Sequence, residues 1–285
     1  MKLLTLNTHS WVESDQIAKL HQLAEAIVKE KFDVIALQEV NQFRGSQSVE
    51  DSQVCSLSKV PIKEDNFAHL LLKILANKGI EYFGIWGDCH VGFDIYEEGT
   101  ALLSRVPFQE TKKITFRSEL DFEDVRRRTV VGASVELEGE LQWFYSAHFS
   151  WWEFEGETLF TEEWQTFEQA IQPCLKQPTY LLGDFNNDAQ QAAEGYQLIQ
   201  AQQQWQDSFH AAQEKTGEHT VTKKIAGWDE NQEKLRIDYV FTSRKLPVAS
   251  YQTIFDNKNY PMISDHCGIA VEIKPEAKGS CAYAS

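Results

Sequence analysis

Apolar residues along the chain switch between two periods, and the switching predicts an α/β protein. Residues 2–6 form an apolar run of strand length, and residues 33–37 form a second. Between them Ile17, Leu20, Leu23, Ala24, Ile27 and Val28 recur at helical spacing, with Ser14 or Asp15 placed to cap the helix. Strand, helix, strand is the crossover unit of α/β folds. Residues 41–64 are polar and aperiodic, which predicts a long loop, and such loops are uncommon unless functional. Asp65 then stands where it would cap a helix carrying Leu70, Leu71, Ile74 and Leu75. From Tyr82 to Phe149 the pattern becomes short strands between turns, clearest at 100–103, 129–137 and 141–147, which predicts antiparallel pairing. A helix over 161–175 leads into a buried strand at 179–182. A Gln- and Ala-rich helix is expected over 190–203, and strands at 236–242, 248–255 and 267–273.

The two halves alternate in the same way with no Pro/Gly/Ser linker between them. The expectation is one domain over residues 1–273, with two sheets face to face, helices outside, and a loose polar tail over 274–285. At 42% hydrophobic residues the chain can fill a large core. Twenty-seven basic and 43 acidic residues give a net charge of −16, which argues against a long nucleic-acid footprint, since that requires many Lys and Arg on phosphates. A local basic strip or bound metal ions would still allow a nuclease. The five cysteines include no CxxC pair and are odd in number, so reduced thiols and a cytosolic location are expected. The apolar run at the start breaks at Asn7, too early for a secretory leader, and no segment is long and apolar enough to span a bilayer.

Polar residues gather at the C-terminal ends of the expected strands, where open α/β sheets place their ligands. Asn7 follows the first strand, Gln38 and Glu39 the second, and Asp184, Asn186, Asn187 and Asp188 the strand at 179–182. Asp238 lies inside a strand, where Asp is disfavoured and burial demands a partner. Ser264-Asp265-His266 directly precedes the last strand. Each piece has an ordinary structural alternative: a solvated strand end for Gln38-Glu39, a turn for Gly183-Asp184-Phe185-Asn186, a capping pair for Asp265-His266.

Taken in order, Leu6-Asn7, Gln38-Glu39, Ser146-Ala147-His148, Gly183-Asp184-Phe185-Asn186, Ile237-Asp238-Tyr239 and Ser264-Asp265-His266 resemble the endonuclease/exonuclease/phosphatase superfamily. Gly99-Thr100-Ala101-Leu102-Leu103-Ser104-Arg105 is similar to its central strand, and the resemblance runs from residue 2 to about 273. The superfamily includes deoxyribonuclease-I-like nucleases, apurinic endonucleases, inositol polyphosphate 5-phosphatases and neutral sphingomyelinases. The resemblance implies a four-layer α/β sandwich and magnesium-dependent hydrolysis of phosphate esters, with manganese able to substitute. It implies Glu39 as principal metal ligand, with Asn7 and Asp265 beside the metal. It implies Asp184 and Asn186 at the attacking water and a non-bridging oxygen, His266 at the scissile phosphate oriented by Asp238, and His148 where sphingomyelinase-like members carry a histidine. Magnesium prefers carboxylate and water oxygens, which agrees with these roles. Whether Asp184 or His266 is the base stays open, as do the number of metal ions and the oligomeric state.

Substrate choice is less legible. Ser150-Trp151-Trp152-Glu153-Phe154 is either a packed loop or an aromatic wall beside the phosphate, and Trp228 is a further rim candidate. In Arg126-Arg127-Arg128, Arg126 and Arg128 would share a strand face, as solvated charges or, for one such as Arg128, as a phosphate ligand. Lys223-Lys224 and Arg236 are further basic candidates, and 200–206 reads as a polar helix end. The expected substrate is a phosphorylated small molecule, a nucleotide or a short nucleic acid. The competing class is a degenerate family member that binds phosphorylated ligands or a protein partner without hydrolysis. Glu39, Asp184, Asp238 and His266 are all present, which favours the enzyme. No Gly-x-Ser-x-Gly elbow or Cys/His signature supports a metal-independent nucleophile.

Overall fold

The computed structural model describes residues 1–225, 227–228 and 233–274. Its strands are β1 (Lys2–Asn7), β2 (Val34–Gln38), β3 (Gln42–Phe43), β4 (Val54–Ser56), β5 (Phe83–Gly92), β6 (Tyr96–Ser104), β7 (Phe108–Thr115), β8 (Thr129–Leu137), β9 (Glu140–His148), β10 (Glu153–Phe154), β11 (Glu157–Thr158), β12 (Thr179–Asp184), β13 (Gln206–Asp207), β14 (Glu214–Thr216), β15 (Asp238–Thr242), β16 (Val248–Ile254) and β17 (Gly268–Ile273). The helices are α1 (Gln16–Glu30), α2 (Phe67–Asn77), α3 (Phe160–Ile171), α4 (Gly195–Ala201) and α5 (Ser208–Ala211).

One mixed sheet runs β14-β16-β17-β1-β2-β6-β5-β4, with β3 also on β6, and a second runs β13-β15-β12-β9-β8-β7. Alternation along the strands decides the layers. Leu3, Val34, Ala36, Ile85 and Leu102 of the first sheet share one buried cluster with Val131, Ala133, Phe144, Leu182 and Val240 of the second. The opposite faces carry Leu4, Leu6, Ile35 and Leu37 against α1 and α2, and Tyr145, Leu181 and Phe241 against α3 and α4. Helix, sheet, sheet, helix is the four-layer sandwich that the sequence pattern implies.

Several local expectations shift. Ile17 is 58% exposed, because the buried stripe of α1 begins only at Leu20. Asp15 occupies the N-cap of α1 in a left-handed conformation without capping by its side chain. Asn66, not Asp65, caps α2 by accepting from the His69 N–H, while Asp65 accepts from the Phe43 N–H. Residues 41–64 contain β3, β4 and a bridge between Ser48 and Lys63, so they are a folded excursion rather than a plain loop. The helix expected over 161–175 is α3 followed by a 3-10 turn (Gln172–Lys176) that Pro173 opens, and that expected over 190–203 shrinks to α4. The 236–242 strand starts at Asp238. Cys55, Cys89, Cys174 and Cys267 are free thiols, and no helix among the described residues is long and apolar enough to cross a membrane. Cys281 and the tail beyond Lys274 lie outside the described residues.

Register sets the position of the site. Asn7 pairs with Gln38 across parallel β1 and β2, so both end at the same edge of the first sheet. In the second sheet β12 is parallel to β9 and antiparallel to β15, which puts Asp184 between His148 and Asp238. Gly183 makes this possible. Its φ is +151°, and a Cβ there would fall 2.0 Å from the carbonyl oxygen of Ala147. Gln38 crosses between the sheets by donating to Ser146 Oγ at 3.0 Å, which satisfies a buried amide just under the site.

Candidate active site

The four strand ends open into a cleft of about 250 Å³, walled among others by Glu39, His148, Trp151, Asp184, Asn186, Asp265 and His266. Asn7 ties the sheets together here. Its side-chain amide donates to Glu39 Oε1 at 2.8 Å and to Asp184 Oδ2 at 3.0 Å. Asp184 also accepts from the Asn186 backbone N–H at 2.8 Å, and Asn186 Nδ2 donates to the Phe149 carbonyl at 2.9 Å. Glu39 and Asn186 both hold positive φ, 52° and 49°, as does His9 at 46°. Non-glycine residues in that region cost about 1 kcal/mol or more and cluster at functional sites.

His266 Nδ1 lies 2.9 Å from Asp238 Oδ2 although the residues are 28 apart in sequence, and its Nε2 lies 3.7 Å from Asp184 Oδ2. His148 Nε2 is also 3.7 Å from Asp184 Oδ2. Asp184 therefore faces two imidazoles. Burial and then the charge of Asp238 raise its carboxyl to about 7, against the lowering effect of His266 and the Asn7 hydrogen bond. For His266 burial opposes the charged form, but Asp238 and Asp184 outweigh it and hold the imidazolium. Burial and then the charge of Asp265 raise Glu39.

Glu39 and Asp265 thus bring two like charges to one wall. The oxygen donors of Asn7, Glu39 and Asp265, with surplus negative charge, fit a hard divalent cation. Among the described residues two clusters bring three ligand atoms within 4.8 Å of one another, His9/Glu13/Asp265 and Asp184/Asp238/His266, and Glu39 belongs to neither. In the first, Glu13 already accepts from Lys19 and lies 2.8 Å from His9 Nδ1. In the second, Asp238 is engaged with His266.

The structure assembles Asn7, Glu39, His148, Asp184, Asn186, Asp238, Asp265 and His266 at one end of the sandwich. Arg128 joins them but not from an alternating strand. The three arginines precede β8, and each has its own partners. Arg126 pairs with Asp124 and Glu157, and Arg127 with Asp88. Arg128 is buried, with Nη1 3.4 Å from His148 Nε2 and its guanidinium over Trp151, 5.2 Å from the ring centroid. Arg236 is not a free phosphate ligand. It is buried on Asp207 at 2.8 Å among Tyr196, Phe209 and Tyr239. Lys223 and Lys224 are exposed and do not line the cleft, although Ile225 next to them does. Asn187 and Asp188 serve the fold: Asn187 accepts from Gly195 N, and Asp188 from Arg236 N. Trp151 walls the catalytic cleft and a neighbouring one, whereas Trp152 and Trp228 line only the neighbour.

Three titratable cleft residues escaped the sequence reading: His9, His90 and Glu98. Glu98 is a buried carboxylate inside β6, the same signal that singled out Asp238. Burial and then the charge of Glu39 raise it to about 8, and it sits 3.7 Å from Arg128, 3.8 Å from His148 and 3.7 Å from His90.

A model of the endonuclease/exonuclease/phosphatase family matches residues 12–266. An endonuclease/exonuclease/phosphatase family protein from Leptotrichia buccalis C-1013-b is 33% identical, with a TM-score of 0.84 over 96% of this chain and 100% of that one. A mannosyl-6-phosphatase from Bacteroides thetaiotaomicron VPI-5482 is 17% identical, with a TM-score of 0.67 over 96% and 100%. A 3′ phosphatase from Neisseria bound to product DNA hairpin is 18% identical, with a TM-score of 0.61 over 96% and 100%. These last two share the fold. No curated protein matches the sequence.

Proposed function

The chain belongs to the endonuclease/exonuclease/phosphatase family, and from that premise we propose that it is a divalent-metal-dependent hydrolase of phosphate esters, built as one catalytic domain over residues 1–273. The carrying observation is Asp184, buried between His148 and the His266–Asp238 pair and tied by Asn7 to Glu39 of the other sheet.

Glu39, Asn7 and Asp265 would hold Mg²⁺, or Mn²⁺ in its place, which when bound would offset the negative charge on the phosphoryl oxygens and on the departing oxygen until that oxygen takes a proton from water. The chain's own residues do the rest. Asp184, raised toward neutrality, aligns a water for in-line attack and takes its proton at Oδ2. Asn186 is fixed by its bonds to Asp184 and Phe149 beside the non-bridging oxygens. His266 presents Nε2–H to the phosphate, and Asp238 holds the ring by Nδ1. Arg128 adds donors to the cleft and is held there by His148, whose Nε2 accepts from Nη1, and by Glu98. Trp151, Trp152 and Trp228 contact the nonreacting part of the substrate. The substrate is a phosphorylated small molecule, a nucleotide or a short nucleic acid, because a net charge of −16 disfavours a long duplex footprint. The four cysteines among the described residues are free, which suits a reducing, cytoplasmic setting.

Hydrolysis of p-nitrophenyl phosphodiesters and monoesters with Mg²⁺ tests this reading. Glu39→Gln should keep the wild-type melting temperature and lose most turnover, on the order of 100-fold or more. Full activity of that variant, or of the wild type in excess chelator, contradicts it.

A further inference from the structure

Beside the catalytic cleft lies a second one of about 460 Å³, and the two share Trp151 and Asn186. Its lining carries the aromatic rings of Trp151, Trp152, Phe154 and Trp228 and the carboxylates of Glu153 and Glu194. The β10–β11 hairpin carries Glu153 and Phe154. Gly227, at φ +81°, lets the backbone press against Trp151, since a Cβ there would come 2.5 Å from the indole. Phe154 stacks on Trp151 with centroids 5.5 Å apart.

The geometry points to a subsite for an ammonium group carried by the alcohol part of the phosphate ester. The inference rests on the reading above that the phosphate sits between Asp184 and His266. Two features act with the same sign. Aromatic rings attract cations through their quadrupole. The titratable side chains on the wall are two carboxylates, and among the described lining residues there is no Lys, Arg or His. Neither Glu153 nor Glu194 has an ion-pair partner or a side-chain hydrogen bond among the described residues, so neither charge is compensated. Burial and then the charge of Asp188 raise Glu194, as expected of a carboxylate without a cation nearby. The shared wall already holds one cation, the Arg128 guanidinium over Trp151. A neutral base or sugar would gain from the rings alone, whereas an ammonium group gains from rings and carboxylates together.

The test compares three p-nitrophenyl phosphodiesters with Mg²⁺: the choline ester, its uncharged isostere the 3,3-dimethylbutyl ester, and the thymidine 5′ ester. The choline ester should show kcat/KM about tenfold or more above the isostere, a ratio within the range of desolvated cation–π contacts. Choline should compete, and 3,3-dimethylbutanol should not. Glu194→Gln and Trp152→Ala should each collapse the choline-to-isostere ratio, mainly through KM. Equal rates for choline ester and isostere overturn the proposal in favour of shape alone. A preference for the thymidine ester overturns it in favour of base stacking. If none of these diesters and no p-nitrophenyl monoester is hydrolysed, the phosphoesterase reading fails by itself. Tryptophan fluorescence titrated with choline then decides the subsite: a saturable change lost in Trp152→Ala supports it, and no change overturns it.

Discussion

The two clefts meet at Trp151 yet are built differently. The candidate catalytic cleft is assembled from the ends of β1, β2, β9 and β12 and the start of β15, and its polar side chains are mostly buried and mutually bonded. The neighbouring cleft is assembled from a two-stranded hairpin and connecting segments, and its tryptophans are half-buried with glutamates unpartnered. Sheet register fixes the first within the tolerance of the core. The second stands on a hairpin and connecting segments, which vary more freely, although Trp152 also packs against the core beneath α3. On the proposed reading, chemistry belongs to the first cleft and substrate preference to the second.

The comparison breaks most readily at Asp184. Asp184→Asn should lower kcat about 10³-fold or more, because it removes the candidate base. It should also leave the melting temperature equal or higher, since a desolvated carboxylate raised to about 7 by burial is costly to keep charged. A variant retaining more than about a tenth of wild-type turnover would take Asp184 out of the chemistry.

The next effect concerns one unit rather than one residue. His266→Ala and Asp238→Ala should each cost about 10²–10³-fold in kcat, and the double variant little more than the worse single one. Strictly multiplicative losses would show that the 2.9 Å contact does not couple them.

The smallest effect is on stability. Burial, then the charge of Arg128, lowers His90 to about 3 from 6.5, so the folded protein holds it neutral. A depressed folded pKa means full stability above about pH 6.5, lost as the pH falls and the unfolded chain takes up the proton. By about pH 5 the loss from this group is roughly 2 kcal/mol. His90→Gln should flatten that part of the acid limb in chemical denaturation. An unchanged acid limb would place the lost stability elsewhere.

Legibility in the sequence followed the same division. Central strands such as β1, β8 and β12 were readable because the core fixes their apolar runs, and the polar residues at strand ends were visible as candidates, but it was the ordered resemblance to the family that joined them, His148 included, into one set. Asp238 stood out since a buried strand cannot hold a lone carboxylate. Glu98 carries the same signal but sits just before the recognisable Gly99 to Arg105 segment. His9 follows β1 by two residues and reaches the cleft only because it turns with positive φ, which no spacing shows. The arginine run misled because local partners such as Asp124 and Asp88, not strand alternation, decide where each guanidinium goes. Ile17 misled because helical period does not mark the turn at which burial starts.

The most direct test is hydrolysis of bis(p-nitrophenyl) phosphate in ¹⁸O-labelled water with Mg²⁺, read by mass spectrometry of both products. Attack of water on phosphorus in the Asp184 cleft predicts one ¹⁸O in p-nitrophenyl phosphate, none in p-nitrophenol, and no turnover once the metal is chelated. Label in the phenol, or undiminished turnover in chelator, would contradict the account.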